Sequence, residues 1–350
     1  MATPKVATAE ADTWMKRLVG TVVEADDSPL VFVVGSGLSR APDGKGVWNV
    51  AEIVQHVCGK YDLQAGDKTG GEAYQHLMGV LKEERGPSHV GQVVRESVLQ
   101  AYTGADRDLI LKMGSNEQVK RCRALDQDGK SDWLLPPGVQ ALAKLLQQFV
   151  SVGHDAFPLV ITTNFDGLIE VALQRCGLVA DPYGVIDDEF PRPPRTPKVV
   201  QVWHVHGYWT GSTLHSEEEL TERRRKLEDA LRSRFDGARV FVLAYGGWDD
   251  VVFDALSAAT RSHPEMSPPD VAWGFFQAAP DVAAGNPHVL QRFSNMQSKV
   301  NVQYFAGINA HTHLVQAAQE VARRLAPPPS QLPPAAPDGP HRCRQRCARS

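Results

Sequence analysis

Four continuous runs of apolar residues, each followed by a glycine or polar cluster, constrain the fold of this chain most strongly. They cover residues 30–34, 157–162, 199–205 and 239–244. A strand that is apolar on both faces is typical of a parallel sheet with helices on both sides. Runs at 271–276 and 300–305 extend the predicted sheet to six strands. Because helical patterns lie between the runs, we predict an α/β fold with a doubly wound, Rossmann-like parallel sheet.

The segments around these runs predict three regions. Residues 1–29 are expected to contribute an N-terminal helix, since 8–25 are helical by composition. Residues 30–325 form the predicted α/β domain, and the strandless, amphipathic stretch 59–137 is a helical insert in it. Residues 326–350 are rich in proline and basic side chains, so we expect a disordered tail or a linker.

Two further segments between the strands have distinctive compositions. Residues 181–197 are rich in proline and aspartate and predict a surface loop. Residues 216–234 carry charges of both signs and predict a solvated helix.

Composition excludes several classes of protein. The formal net charge is −4 over 350 residues, so no global basic field indicates nucleic-acid binding. Five scattered cysteines make no disulfide framework and fit the reducing cytoplasm. No pair has the Cys-x-x-Cys spacing of a zinc ribbon. The polar start of the chain does not predict a signal peptide, and no apolar run reaches the ~20 residues that cross a bilayer.

The first strand leads into a glycine loop that predicts a phosphate site. Glycines let backbone N–H groups approach phosphate oxygens, and serine hydroxyls add donors. The candidate residues are Gly35, Ser36, Gly37 and Ser39. Arg40 stands where a full Gly-x-Gly-x-x-Gly motif would have its third glycine, so an ordinary tight turn is an equal alternative.

Asn164 and Asp166 follow the second strand, at the edge where open α/β sheets bind ligands. The amide can hold a ribose hydroxyl or a water, and the carboxylate can accept a hydrogen bond or stabilise a developing cation. A local Asx turn that caps the next helix explains the same pair without a ligand.

Histidines and a second glycine turn follow the later strands. His206, after the third strand, is a candidate general base. His204 is more simply explained as a packed, hydrogen-bonded histidine, and no third ligand supports a metal site. After the fourth strand, Gly246, Gly247 and Trp248 form a turn that could approach a ligand. Asp249 could instead cap the next helix.

In order and spacing, these motifs resemble the sirtuin (silent information regulator) family, most closely its bacterial NAD-hydrolysing branch. The resemblance runs from about residue 30 to 325. It implies that the Gly35 to Ser39 loop, Thr163 and the Gly246-Gly247-Trp248 turn bind NAD⁺, and that Asp166 lies at the nicotinamide pocket. It also implies that Asn164 orients the nicotinamide ribose and the attacking water, with His206 as the catalytic histidine.

The function implied by the resemblance is hydrolysis of NAD⁺ to nicotinamide and ADP-ribose. Deacylating sirtuins carry a four-cysteine zinc module after the catalytic histidine, whereas residues 207–239 contain no cysteine, so no metal is expected. The resemblance further implies a cytoplasmic, regulated effector of bacterial antiviral defence. A homo-oligomer, a partner or a fused sensor would trigger it, without nucleic-acid or membrane binding. Two alternatives remain: a zinc-free protein deacylase or ADP-ribosyltransferase, and a non-catalytic NAD or ADP-ribose sensor.

Overall fold

The computed structural model describes most of the chain outside the two termini and several internal segments. The described residues are 8–24, 28–128, 132–154, 156–185, 196, 198–215, 219, 224–247, 251–260, 267–294 and 301–326. Their helices are α1 Ala11–Val23, α2 Val50–Tyr61, α3 Gly70–Arg85, α4 Pro87–Val98, α5 Arg107–Leu111, α6 Ser115–Asp128, α7 Pro137–Val152, α8 Leu168–Arg175, α9 Arg225–Phe235, α10 Val251–Ala259, α11 Ala279–Gly285, α12 Pro287–Ser294 and α13 Ala310–Leu325.

The described residues form one eight-stranded sheet in which every pairing is parallel. Its strands are β1 Thr8–Ala9, β2 Leu30–Val34, β3 Leu159–Thr162, β4 Val179–Gly184, β5 Val199–His204, β6 Arg239–Leu243, β7 Asp270–Gly274 and β8 Val302–Phe305. The spatial order is β1-β8-β7-β6-β2-β3-β5-β4. Apart from the edge strands β1 and β4, this is the Rossmann order, so the prediction of a doubly wound parallel sheet is confirmed.

Two apolar layers cover the sheet, because successive side chains of a strand point to opposite faces. Leu30, Phe32 and Val34 of β2 pack into a layer that includes α1, α7 and α13. Val31 and Val33 pack into the other layer, with α9, α10 and α12. Burial on both faces is the physical reason for the continuous apolar runs of the central strands.

Both edge strands differ from the sequence-based expectation. Residues 181–184 were predicted to lie in a surface loop, but they belong to β4, which pairs with β5. The prediction was wrong because Asp181, Pro182 and Gly184 are poor strand formers, which only an edge position tolerates. The rest of the predicted loop lies outside the described residues, except for residues 185 and 196.

The N-terminal segment is part of the main sheet. Thr8 and Ala9, predicted to begin a helix, instead form β1 and pair with β8. The helix α1 follows, and its buried Trp14 meets Phe241 of β6 edge to face, with ring centroids 5.9 Å apart. A two-residue strand is too short to leave a periodic signal in the sequence.

The long connection from β2 to β3 carries six helices, α2 to α7. The described residues of the predicted insert, 59–137, form helices and no named strand. The predicted charged helix at 216–234 corresponds to α9, while most of residues 216–223 lie outside the described part. Of the predicted tail, only residue 326 is described.

Candidate active site

The candidate residues lie where the strand order of the sheet reverses. From β2 the chain moves to β3 on one side and later returns to β6 on the other. Open α/β sheets bind ligands at such a switch point.

The glycine loop is packed tightly against the turn after β6. A Cβ on Gly35 would lie 2.4 Å from the carbonyl oxygen of Ala244 and 2.8 Å from the Cα of Tyr245. Ala244 itself has a φ of +52°, which a non-glycine residue rarely adopts. The contact between the two turns therefore requires glycine at position 35, independently of any phosphate. In the same loop Ser36 and Gly37 are exposed and Ser39 is buried.

Hydrogen bonds hold the backbone N–H and the side-chain nitrogen of Asn164, but not its side-chain oxygen. Its backbone N–H donates to Thr162 Oγ1 at 3.0 Å. Its Nδ2 donates to the carbonyl oxygen of Gly35 at 3.2 Å and to Ser39 Oγ at 2.8 Å. A carbonyl oxygen only accepts, so this contact fixes which end of the amide is nitrogen. The remaining Oδ1 is buried without a hydrogen-bond partner among the described residues, and it is therefore available to a donor on a ligand.

Asp166 anchors the same loop and does not face open solvent. It is 2% exposed, and its Oδ1 accepts from the backbone N–H of Leu168 at 3.2 Å. Burial raises the pKa of this carboxyl, although the hydrogen bond from the Ser39 hydroxyl opposes the shift. The Asx turn anticipated from the sequence is present. Because Ser39 contacts both Asn164 and Asp166, the loops after β2 and β3 form one hydrogen-bonded unit.

His204, the last residue of β5, is fully buried next to Glu170 of α8. One ring nitrogen, Nδ1, lies 2.7 Å from the carbonyl oxygen of Asn164. The other, Nε2, lies 2.6 Å from Glu170 Oε1. Burial alone would lower the pKa of the imidazole, but the charge and hydrogen bond of Glu170 outweigh it and raise the pKa. The structure thus agrees with the hydrogen-bonded interpretation of His204.

A cleft of about 860 Å³, including its mouth, brings six of the predicted site residues together. Six polar residues of the lining come from the loops after β2, β3 and β5, and we call them the polar wall: Ser36, Ser39, Thr163, Asn164, Asp166 and His206. The remaining lining is mostly apolar and comes largely from residues 47–98, and we call it the roof: Val47, Trp48, Val50, Ile53, Tyr74, Met78, Val93, Val94, Ser97 and Val98. Phe165 and Leu214 complete the lining.

A buried histidine connects the roof to the loop that carries His206. His215 Nδ1 lies 2.7 Å from the hydroxyl of Tyr74 in α3, and Nε2 lies 2.7 Å from Thr213 Oγ1. Burial lowers the pKa of His215 to about 3. An ion pair between Lys82 of α3 and Glu219 supports the same connection.

The turn after β6 lies beside the glycine loop but not in the lining of the cleft. Gly246 is exposed, and its carbonyl oxygen accepts from His288 Nε2 at 3.1 Å. Gly247 has a φ of +66° and packs against Val289 so closely that a Cβ would lie 2.4 Å from it. Trp248 and Asp249 lie outside the described residues. Gly35 and Gly37 likewise flank the cleft without lining it.

His311, at the start of α13, binds the glycine loop by a hydrogen bond from outside the cleft. Its Nε2 donates to the carbonyl oxygen of Gly37 at 3.0 Å, and its Nδ1 accepts from the backbone N–H of Gly138 at 3.1 Å. A carbonyl only accepts and an amide N–H only donates, so both contacts together require a neutral ring.

Sequence reasoning missed four residues that shape the site: Tyr74, Glu170, His215 and the role of His311. Glu170 had no local signal, because its partner His204 lies 34 positions away along the chain. Tyr74 and His215 had none, since their contact joins residues 141 positions apart. Among the described residues, no group of three or more His, Cys, Asp or Glu side chains could hold a metal ion.

No helix within the described segments is both long and apolar enough to cross a membrane. The fold and the cleft define a doubly wound α/β protein with a candidate ligand site at its switch point. Residues 158–300 match the family model described as the SIR2-like domain. This segment runs from just before β3 to just before β8, and it contains Asn164, His206 and the turn after β6.

A solved structure described as a complex of a SIR2 homolog with NAD is similar over 89% of this chain and 95% of that chain, at 13% sequence identity and a TM-score of 0.42. The comparison with curated proteins gives no match. The family match supports the sirtuin-like part of the resemblance and indicates an NAD-using domain in residues 158–300.

Proposed function

We propose that this protein hydrolyses NAD⁺ to nicotinamide and ADP-ribose in the cleft. One observation carries the proposal. Asn164 has both Nδ2 hydrogens held by the protein and a buried, unpartnered Oδ1, on the same polar wall as His206. A ribose hydroxyl or a water molecule can donate to Oδ1, which restores the hydrogen bond that a buried acceptor needs.

The proposed reaction breaks the bond between C1′ of the ribose and the nicotinamide nitrogen. Nicotinamide departs as a neutral molecule with the bonding electron pair, and positive charge develops on the ribose. Asn164 Oδ1 orients the ribose hydroxyl and the attacking water. The oxygen of the water bonds to C1′, and His206 accepts a proton from that water. Each of these two roles typically contributes ~10²–10⁴-fold to the rate.

The two walls of the cleft suit the two parts of this substrate. The polar wall meets the ribose and its hydroxyls, and the roof offers apolar contact to the flat nicotinamide ring. The pyrophosphate is proposed to lie against Gly35, Ser36, Gly37 and Ser39. The turn with Gly246, Gly247 and Trp248 is proposed to approach the adenosine ribose, and Thr163 and Asp166 to support the nicotinamide end.

Unrestrained NAD⁺ hydrolysis would be toxic, so the proposal includes regulation. The resemblance supports a cytoplasmic effector of bacterial antiviral defence that acts by depleting NAD⁺. Its trigger would be self-assembly, a partner or a fused sensor. A transfer or deacylation reaction in the same cleft remains the alternative activity.

The experiment is to incubate the purified full chain with NAD⁺ and to resolve the products by chromatography. The variants Asn164→Ala and His206→Ala are compared with His89→Ala, whose histidine is partly exposed on α4 and does not line the cleft. We expect nicotinamide and ADP-ribose from the wild type and from the His89 variant, and at least 100-fold less from the other two.

Other outcomes would replace the proposal. Products that form only with an acyl-lysine peptide or a protein acceptor would establish deacylation or transfer. If NAD⁺ binds tightly without turnover, and Asn164→Ala removes the binding, the protein is a sensor. Because a missing trigger also gives no turnover, the assay is repeated at high protein concentration and in cells that express the chain, with cellular NAD⁺ as the readout.

A further inference from the structure

We propose that His204 and Glu170 form a positioning pair, a buried imidazolium and carboxylate that fix the main chain of Asn164 and thereby aim its free Oδ1. Neither residue lines the cleft, so their action is indirect. The kinetic part of this inference rests on the proposed function, whereas its structural part does not.

The proton positions follow from the atoms that the ring faces. His204 Nδ1 lies 2.7 Å from the carbonyl oxygen of Asn164. A carbonyl has no hydrogen to give, so Nδ1 carries the proton. Nε2 lies 2.6 Å from Glu170 Oε1, and charge-assisted hydrogen bonds are shorter than those between neutral groups. With Glu170 ionised, Nε2 also carries a proton, and the ring is an imidazolium.

Burial makes this arrangement stiff. His204 is 0% exposed and Glu170 is 5% exposed. Asp166 is a further ionisable group that acts on the ring, and burial raises the pKa of its carboxyl. The rings of His204 and Tyr208 pack edge to face, with their centroids 4.7 Å apart. A buried charge that loses its partner is strongly destabilised, so the two side chains hold each other in place.

The pair completes the set of bonds around Asn164. Thr162, Gly35 and Ser39 bind its backbone N–H and its side-chain nitrogen, and His204 binds its carbonyl oxygen. Without the His204 donor the Asn164 peptide loses a buried hydrogen bond and can tilt. A tilt moves Oδ1 relative to the ribose, and a misplacement of about 1 Å can cost ~100-fold in rate.

The first experiment is nitrogen NMR of the unliganded full chain labelled with ¹⁵N-histidine, with the His204 signal assigned from its loss in His204→Asn. We expect both ring nitrogens of His204 to be protonated at pH 7.5. In Glu170→Gln, which keeps the shape and removes the charge, we expect Nδ1 to stay protonated and Nε2 to lose its proton. An unprotonated ring nitrogen in the wild type would overturn the inference, whatever the chain catalyses.

The second experiment compares NAD⁺ turnover in His204→Asn and His204→Leu. An asparagine amide can donate from the position of Nδ1, whereas leucine offers similar bulk and no donor. We expect kcat to fall ~100-fold in the leucine variant and to recover to within ~10-fold of the wild type in the asparagine variant, with KM changed less than ~3-fold in both.

His154→Leu is the matched control, because His154 is also buried and bonded to a carbonyl, that of Val22, but precedes β3 at the opposite edge of the sheet. It is expected to lower stability without lowering kcat. Equal kcat losses in both leucine variants, or none in His204→Leu, would refute the positioning role. If the wild type shows no NAD⁺ turnover even at high protein concentration and in cells, only the proposed function fails, since the NMR result still decides the pair.

Discussion

Acidification should loosen the roof of the cleft through one residue, His215. This histidine is 3% exposed and bridges Tyr74 of α3 to Thr213, so its ring is shielded from water. The charged and titratable groups that act on it are Glu219, which favours its protonated form, and His206 and Lys82, which oppose it. The perturbation is a shift from pH 7.5 to pH 5, combined with His215→Asn, which keeps an acceptor for the Tyr74 hydroxyl and cannot titrate.

The magnitude follows from the pKa of His215. Burial lowers this pKa from 6.5 to about 3 in the folded chain. As the pH falls below 6.5, His215 binds a proton in the unfolded chain, whereas in the folded chain it stays neutral until about pH 3. The contribution of His215 to stability is therefore complete above pH 6.5 and is lost progressively toward pH 3. At pH 5 the 1.5-unit difference corresponds to a loss of about 2 kcal/mol in the free energy of unfolding.

Urea unfolding at pH 7.5 and pH 5 measures this loss. Other groups titrate in the same range, so the relevant quantity is the loss in the wild type minus the loss in His215→Asn. We expect this difference to be about 2 kcal/mol, and His89→Asn, at a partly exposed position outside the cleft lining, to behave like the wild type. Equal losses in the wild type and in His215→Asn would refute the argument that a buried, neutral His215 connects the roof to the sheet.

Three further changes test the packing of the site. Gly35→Ala should lower the free energy of unfolding by about 3 kcal/mol or more, because its Cβ would lie 2.4 Å from a backbone oxygen. In Gly59→Ala, on α2 with open space around it, urea unfolding should show unchanged or up to ~1 kcal/mol higher stability; similar effects of the two changes would contradict this. Ser39→Ala removes the acceptor 2.8 Å from Asn164 Nδ2 and should lower kcat for NAD⁺ about tenfold or more, and an unchanged kcat would exclude a role in holding the amide. His311→Leu frees the glycine loop and should raise KM for NAD⁺ by about tenfold, with a smaller effect on kcat; an unchanged KM would show that the loop keeps its shape without this histidine.

The sequence predicted the sheet well where burial left a pattern. The six apolar runs all became strands, because parallel strands covered on both faces favour apolar side chains. The edge strands escaped prediction. Pro182 and Gly184 in β4 obscure its pattern, and the two residues of β1 are too few to show one.

The polar wall of the candidate site could be predicted from the sequence, whereas the roof could not. Asn164, Asp166 and His206 each follow a strand directly, so their meeting at one edge follows from the topology. The contact between Tyr74 and His215 depends on how a helix of the insert packs over a distant loop, and no local signal encodes it. Nor could the glycines be interpreted from the sequence alone, because Gly35 is also required by its contact with the turn at Ala244.

The two walls of the cleft come from different parts of the chain, and that division has an evolutionary consequence. Every residue of the polar wall belongs to a loop at a strand end, whereas the roof is drawn from residues 47–98, within one connection between β2 and β3. Mutation, insertion or exchange of that connection can therefore change which ligands fit the cleft, while the polar wall keeps its hydrogen bonds. Descendants of such a chain would diverge in the helices above the site and stay alike in the three short loops beneath it.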